Sequence, residues 1–176
     1  MKKKKVVIIT NAPAPYRVAF FQYIQEHESD YAFHIVYTSE NSQIGRQWHV
    51  NGEELGSHSF LECRVVTIHR KYDDKRIVFS VGIGKKLKEQ KPDLVICMEY
   101  NATILQAVHW CRSHHVPFLS WSDGTANSER NIGKLQKIFR KYVIRRAAGF
   151  ISSSTATMEH QISYGAQREK CYKSLL

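Results

Sequence analysis

The sequence is poor in the signatures that mark specialised chemistry. Its four cysteines, Cys63, Cys97, Cys111 and Cys171, show no CxxC or Cys-His spacing, which excludes the zinc ribbons and fingers built on such pairs. Three of them fall in apolar surroundings, and all read as reduced, packed thiols of a cytosolic protein. Long hydrophobic runs are lacking: the opening lysines lead only into Val6 to Ile9, far short of a signal-peptide core or of the ~20 apolar residues of a membrane span. No GxGxxG or GxxxxGK[ST] occurs, so the phosphate-cradling fingerprints are absent. No helix-turn-helix spacing, RNP-like segment or zinc pattern supports nucleic-acid binding. Acidic residues are scarce as well, 16 against 26 Lys and Arg, a formal charge of +10. That balance favours partners carrying phosphate, whether nucleic acid, anionic lipid or a phosphorylated metabolite, without choosing among them.

What is present is enough core for one domain spanning residues 1–176, at 43% hydrophobic. The chain is organised around Lys2 to Arg17, KKKKVVIITNAPAPYR. Val6 to Ile9 form a short β-branched run of the kind buried on both faces in a parallel sheet. Asn11, Pro13 and Pro15 then impose a loop, because proline lacks an amide donor and pushes the residue before it toward extended geometry. Val18, Phe20, Phe21 and Ile24 mark the apolar face of a following helix. Strand, loop and helix in that order predict the first unit of a Rossmann-like, doubly wound α/β domain, its mainly parallel sheet covered by helices on both faces. Ligands of such domains sit at the carboxyl ends of the strands, where Asn11 to Arg17 lie.

Further along, 31–38 reads as a second strand, with His34 a partly covered strand residue. Residues 39–61 lose periodicity and read as a long, functional or mobile loop, in which Arg46, Trp48 and His49 are candidate substrate contacts or, equally, a plug at the edge of the core. A third strand is expected over 63–69 and a helix over 77–90. Gly82, Gly84, Lys85 and Lys86 only weakly suggest a phosphate loop, since they match no motif and do not follow a strand directly; close helix-to-sheet packing explains them better. Buried strands are expected at 93–98 and 116–121, with a helix at 102–114 between them and His114 and His115 capping its end. The segment 129–149 carries seven basic residues against the single acid Glu129. On a helix its apolar face is Leu135, Ile138, Phe139, Tyr142 and Val143; the bases are a solvated face or a surface for anionic lipid headgroups. A strand at 149–154 and a helix at 155–163 complete the pattern.

Taken together, NAPAPYRVAFFQYI after the opening strand, PDLVICMEYNATILQA, KIFRKYVIRRAAGFISSS and TATMEHQISYGAQREKCY resemble, in order and spacing, the N-terminal domain of family 4 type glycosyltransferases of the GT-B fold. The resemblance covers nearly the whole chain. It implies an acceptor-binding half of a retaining, metal-independent enzyme, with no cofactor beyond a nucleotide-sugar substrate held mainly by a C-terminal donor domain that lies outside this chain. The ExxxxxxxE element of that donor domain has no counterpart here, since Glu54 and Glu62 share the spacing only by coincidence.

By position, the resemblance makes Asn11, Pro13, Tyr16, Arg17, Tyr100, Asn101, Ser122 and Gly124 acceptor-binding candidates, and Asp123 and Glu99 the candidates to orient or deprotonate an acceptor hydroxyl. A carboxylate in such a loop can equally cap the next helix. Arg17, with Lys137, Arg140 and Lys141, would meet phosphate of a lipid-linked acceptor or a membrane. The family often has a Gly-rich first loop and a His after the fourth strand, where this chain has prolines and Glu99-Tyr100-Asn101. The partners expected are the donor domain, a glycan or lipid-linked acceptor and an anionic membrane, not nucleic acid, and the expected location is cytoplasmic, peripheral at the inner face of the membrane. A competing reading is a non-catalytic acceptor-recruiting subunit of a transferase split over two chains.

Overall fold

The computed structural model describes residues 3–40, 50–69 and 74–174. In chain order the elements are β1 (Lys4–Thr10), α1 (Pro15–His27), β2 (Tyr31–Tyr37), a 3-10 turn (Gly52–Leu55), β3 (His58–Phe60), β4 (Glu62–His69), β5 (Asp74–Val81), α2 (Ile83–Gln90), β6 (Leu94–Met98), α3 (Ala102–Ser113), β7 (Phe118–Ser122), α4 (Lys134–Ile144), β8 (Gly149–Ser152), α5 (Thr155–Ser163), a second 3-10 turn (Arg168–Lys170) and β9 (Cys171–Lys173). Seven strands form one sheet in the order β3-β2-β1-β6-β7-β8-β9, and each neighbouring pair is parallel. The expected Rossmann-like α/β architecture is therefore observed.

β1 shows why the sheet sits where it does. Val7 and Ile9 enter the core with Leu87, Ile104, Val108 and Val143 of α2, α3 and α4. Val6 and Ile8 face the other way, toward Val18 and Phe21 of α1. Alternating side chains thus find helices on both sides, which is what a continuous β-branched run requires. From β1 the chain winds outward to β2 and β3, then returns to place β6 against the opposite edge of β1. That reversal opens a crevice at the carboxyl ends of β1 and β6.

Four expectations are corrected. The helix expected over 77–90 is half strand: 74–81 pairs antiparallel with β4 as a two-stranded hairpin outside the main sheet, and only Ile83–Gln90 is helical. Ile77 to Val81 satisfy either period over so short a run, and the break comes at Gly82, whose φ of +88° suits glycine and ends the strand. Gly82 therefore does follow a strand directly, while Gly84 lies 3.6 Å from the Trp110 ring for an added Cβ, a helix-to-helix approach. The end of the presumed 39–61 loop carries a 3-10 turn and the edge strand β3, bonded to β2 through Ile35, Val36 and Tyr37. There His34 lies between the Ser57 and Ser59 hydroxyls, at 2.9 and 3.1 Å. The strand at 149–154 stops at Ser152, and β9 joins the far edge unanticipated.

The apolar face expected for α4 is observed only in its second half, where Val143 enters the core and Tyr142 packs against it. Val143 and Ile144 are buried and Leu135 and Ile138 are exposed, so the first turns of the helix project beyond the core. Arg46, Trp48 and His49 lie outside the described residues.

Candidate functional site

Arg17 sits in the first turn of α1, directly after the proline loop, and is only 6% exposed. Its guanidinium donates to Asp123 Oδ2 at 3.0 Å, to Thr10 Oγ1 at 3.2 Å and to Asn11 Oδ1 at 3.4 Å, and Glu99 Oε1 is 4.0 Å away. One side chain thus joins the loops that follow β1, β6 and β7. Asn11 also accepts from the Ala12 amide at 2.8 Å, fixing the loop that leads to Arg17. Glu99 has a φ of +112°, a conformation costly for any residue with a Cβ and kept only where surrounding structure imposes it.

A second ion pair lies alongside. Arg140 of α4 donates through Nε and Nη2 to both oxygens of Glu129, at 2.5 and 2.6 Å, and His160 Nε2 of α5 is 3.1 Å from Glu129 Oε2. Burial raises the Glu129 carboxyl, but the hydrogen bonds and positive charge of Arg140 and His160 outweigh it and hold the group below the usual range. Gly124 permits this arrangement, because a Cβ there would collide with the Glu129 carboxylate. The Arg140 guanidinium also lies over the Tyr100 ring, 5.0 Å from its centre. Tyr100 Oη meets Ser120 Oγ at 3.1 Å. Burial raises its phenol, partly offset by hydrogen bonds with Ser120, Gln161 and Ser122, so Tyr100 stays a neutral hydroxyl near pH 7.

These groups line a small cleft of about 40 Å³, open to solvent, whose walls are Arg17, Met98, Glu99, Tyr100, Trp121, Ser122, Asp123, Glu129 and Arg140. Of the residues singled out from the sequence, Arg17, Glu99, Tyr100, Ser122 and Asp123 come together here. Asn11 supports Arg17. The Asn101 side chain is occupied as the α3 cap, accepting from the Ile104 amide at 3.0 Å, and Ser122 Oγ accepts from the Gly124 amide at 3.2 Å. Pro13 is buried in the loop, and Tyr16 is 59% exposed, 5.6 Å from the Arg17 guanidinium. Lys137 and Lys141 are exposed on α4, whereas Arg140, grouped with them by its charge, is turned inward to Glu129.

Sequence reasoning missed Glu129, Trp121 and His160 as parts of this region. The one available signal was Glu129 itself, the lone acid in a strongly basic segment, since such an acid is well placed to pair internally. Chemically, the cleft offers two carboxylates near solvent, two guanidiniums behind them and two aromatic rings. Such a set can bind and orient a polar ligand. Among the described residues no helix is long and apolar enough to cross a membrane.

No protein-family model and no curated protein matches this sequence. Solved structures do match in fold. The chain is similar to UDP-GlcNAc 2-epimerase from Methanocaldococcus jannaschii, at 14% identity and a TM-score of 0.56 over 96% of this chain and 45% of that one. It is similar also to HepE of Anabaena, solved in complex with UDP-glucose, at 9% identity and a TM-score of 0.63 over 97% and 43%. UDP-GlcNAc 2-epimerase from Neisseria meningitidis, solved bound to UDP-GlcNAc, matches at 11% and 0.55 over 96% and 45%. The chain thus spans less than half the length of these proteins, and its fold is that of one half of a GT-B-like chain.

Proposed function

We propose that this chain is one half of a nucleotide-sugar-processing enzyme of GT-B-like fold, and within that class the acceptor-side half of a retaining, metal-independent glycosyltransferase acting on a glycan or lipid-linked acceptor. The observation that carries the reading is the cleft at the reversal point of the sheet, where Arg17 ties the β1, β6 and β7 loops together and leaves Asp123 and Glu99 facing the opening. In that reading Asp123 and Glu99 orient the acceptor hydroxyl, and the nucleotide-sugar is held mainly by the other half. The fold supports the broad class, because the similar structures include epimerases named for a UDP-sugar and a protein solved with UDP-glucose. Epimerases are not transferases; the ordered segments from NAPAPYR to TATMEHQISYGAQREKCY favour transfer.

The test is turnover by the 176-residue chain supplied with UDP-glucose or UDP-GlcNAc and simple saccharides. Neither hydrolysis, transfer nor epimerisation is expected from the half alone. Measurable turnover would sink the half-enzyme reading. A second reading, a non-catalytic recruiting subunit, is favoured by Leu135 and Ile138, exposed at 62% and 61% in the first turns of α4. Co-purification with a separate donor-domain chain would support it, and a coding sequence continuing in frame past Leu176 into such a domain would remove it.

A further inference from the structure

The segment that follows β7 is tied to the rest of the molecule by one side chain. Residues 125–132 join none of the buried clusters. Their amides bond locally: that of Glu129 donates to Thr125 O at 3.0 Å, that of Arg130 to Asn127 O at 3.4 Å and that of Ile132 to Glu129 O at 3.2 Å. The Thr125 and Ser128 hydroxyls are used within the same turn. Among the described residues, Glu129 alone in this segment makes a hydrogen bond or ion pair outside it, to Arg140 of α4 and His160 of α5. Gly124 and Gly133 flank the segment, positions where a missing Cβ lets φ and ψ change at little steric cost.

The same side chain is part of a wall. Glu129 and Arg140 line the cleft and also a second hollow behind it, bounded by Tyr100, His160, Gln161 and Tyr164 and too tight for a water molecule. With the pair in place the cleft holds only about 40 Å³, whereas sites for small ligands run to roughly 300–1,000 Å³. A cleft that serves a ligand must therefore widen, and this wall is the one held by a single pair of charges.

We propose that residues 125–132 are a strap over the cleft, pinned shut by Glu129, and that release of Glu129 from Arg140 and His160 opens the cleft into the hollow behind it. The pin sits near solvent. Its side chain is 13% exposed, and its chain neighbours Ser128 and Arg130 are exposed, so the carboxylate swings into water without crossing apolar core. Release exchanges a two-point guanidinium contact for hydration of both ions, terms that largely offset each other in a partly buried pair. Arg140 keeps its bond to Gln136 O at 3.3 Å and its place over the Tyr100 ring when the carboxylate leaves. The inference rests on the acceptor-side reading and deepens it: the closed strap leaves Asp123 and Glu99 at a mouth too small for a sugar, and the open one gives that sugar room.

Hydrogen exchange of the 176-residue chain, followed by nitrogen-15 NMR, tests this at two buried donors. One is the Arg140 Nε–H, bonded to Glu129; the other is the Gln161 side-chain amide, which lines the hollow and donates to Ser120 O at 3.4 Å. In the unaltered chain, after correction for intrinsic rates, both should exchange at least about a hundredfold faster than the Val6 to Ile9 amides, because the strap opens without global unfolding. Their opening equilibria should agree within about threefold, since one motion exposes both. Glu129→Gln replaces a charge-assisted contact by a neutral one and should speed both by about tenfold or more. The Val6 to Ile9 amides should meanwhile keep the order parameters of a folded sheet, about 0.85. Arg140 Nε–H opening only as slowly as Val6 to Ile9 would overturn the strap. Release at Arg140 with Gln161 still protected would overturn its joining of cleft and hollow, and rates unmoved by Glu129→Gln would overturn the pin. The first comparison needs no variant and decides alone if Glu129→Gln fails to fold. Turnover by the half alone, which sinks the half-enzyme reading, leaves these exchange rates and the strap untouched.

Discussion

At the scale of the residue, Glu99 concentrates the tension between stability and function. It follows β6 with φ at +112°, and its carboxylate lies 4.0 Å from the Arg17 guanidinium. A backbone of this kind costs about 1–3 kcal/mol in a residue with a Cβ, and glycine relieves it at an entropic cost of about 0.5–1 kcal/mol. Glu99→Gly should therefore raise stability by about 1 kcal/mol, or about 2–4 °C in melting temperature for a chain of this size. Urea unfolding checks it. A variant less stable than the parent would show that contacts of the side chain, rather than strain of the backbone, dominate at this position.

At the scale of the element, α4 divides its residues in a way its period alone does not reveal. Arg140 and Val143 face inward, the former onto Glu129, while Leu135 and Ile138 project into solvent beside Lys134, Lys137 and Lys141. Arg140→Met leaves the Glu129 charge buried without its main partner and should cost about 3 kcal/mol. The paired change Leu135→Ser with Ile138→Ser should cost less than about 0.5 kcal/mol, because neither side chain is packed. If this face meets anionic lipid, the same pair should weaken binding to phosphatidylglycerol-rich vesicles by about tenfold or more, since the apolar anchor is lost and the bases remain. Sedimentation with vesicles and denaturant titration separate the two effects. Unchanged vesicle binding would assign the face to something other than lipid.

The whole molecule is a seven-stranded parallel sheet with one hairpin set apart from it. The β1, β6 and β7 ladders are covered on both sides, and Val7, Ile9, Val95, Cys97 and Phe118 share one buried cluster. β4 and β5 pair only with each other among the described strands, and two-stranded pieces are marginal by themselves. Hydrogen exchange should accordingly be slowest at the amides of Val6 to Ile9 and Val95 to Met98, opening only with global unfolding. Exchange in the β4–β5 hairpin should be at least about a hundredfold faster by local opening. Equal protection in both regions would mean that the hairpin is held by the same cooperative unit as the sheet.

The sequence by itself determined the sheet's central strand and its winding. Val6 to Ile9 have nowhere to go but a doubly covered position, and Pro13 after them keeps the chain in a loop, whereas Pro15, also expected in that loop, opens α1 at a first-turn position that needs no amide donor. It also placed Arg17, Glu99 and Asp123 at strand ends, since the strand-loop-helix order puts such loops on one edge. Only the tertiary structure decided which charges oppose which. Glu129 and His160 are 31 residues apart yet 3.1 Å from ring to carboxylate, and Arg140 looks no different from Lys137 or Lys141 until the helix is docked. Periodicity reports which face of an element is apolar; it carries no information on what lies opposite that face. For the same reason the hairpin at β4 and β5 escaped, a short apolar run being free to choose strand or helix until a partner strand claims its backbone.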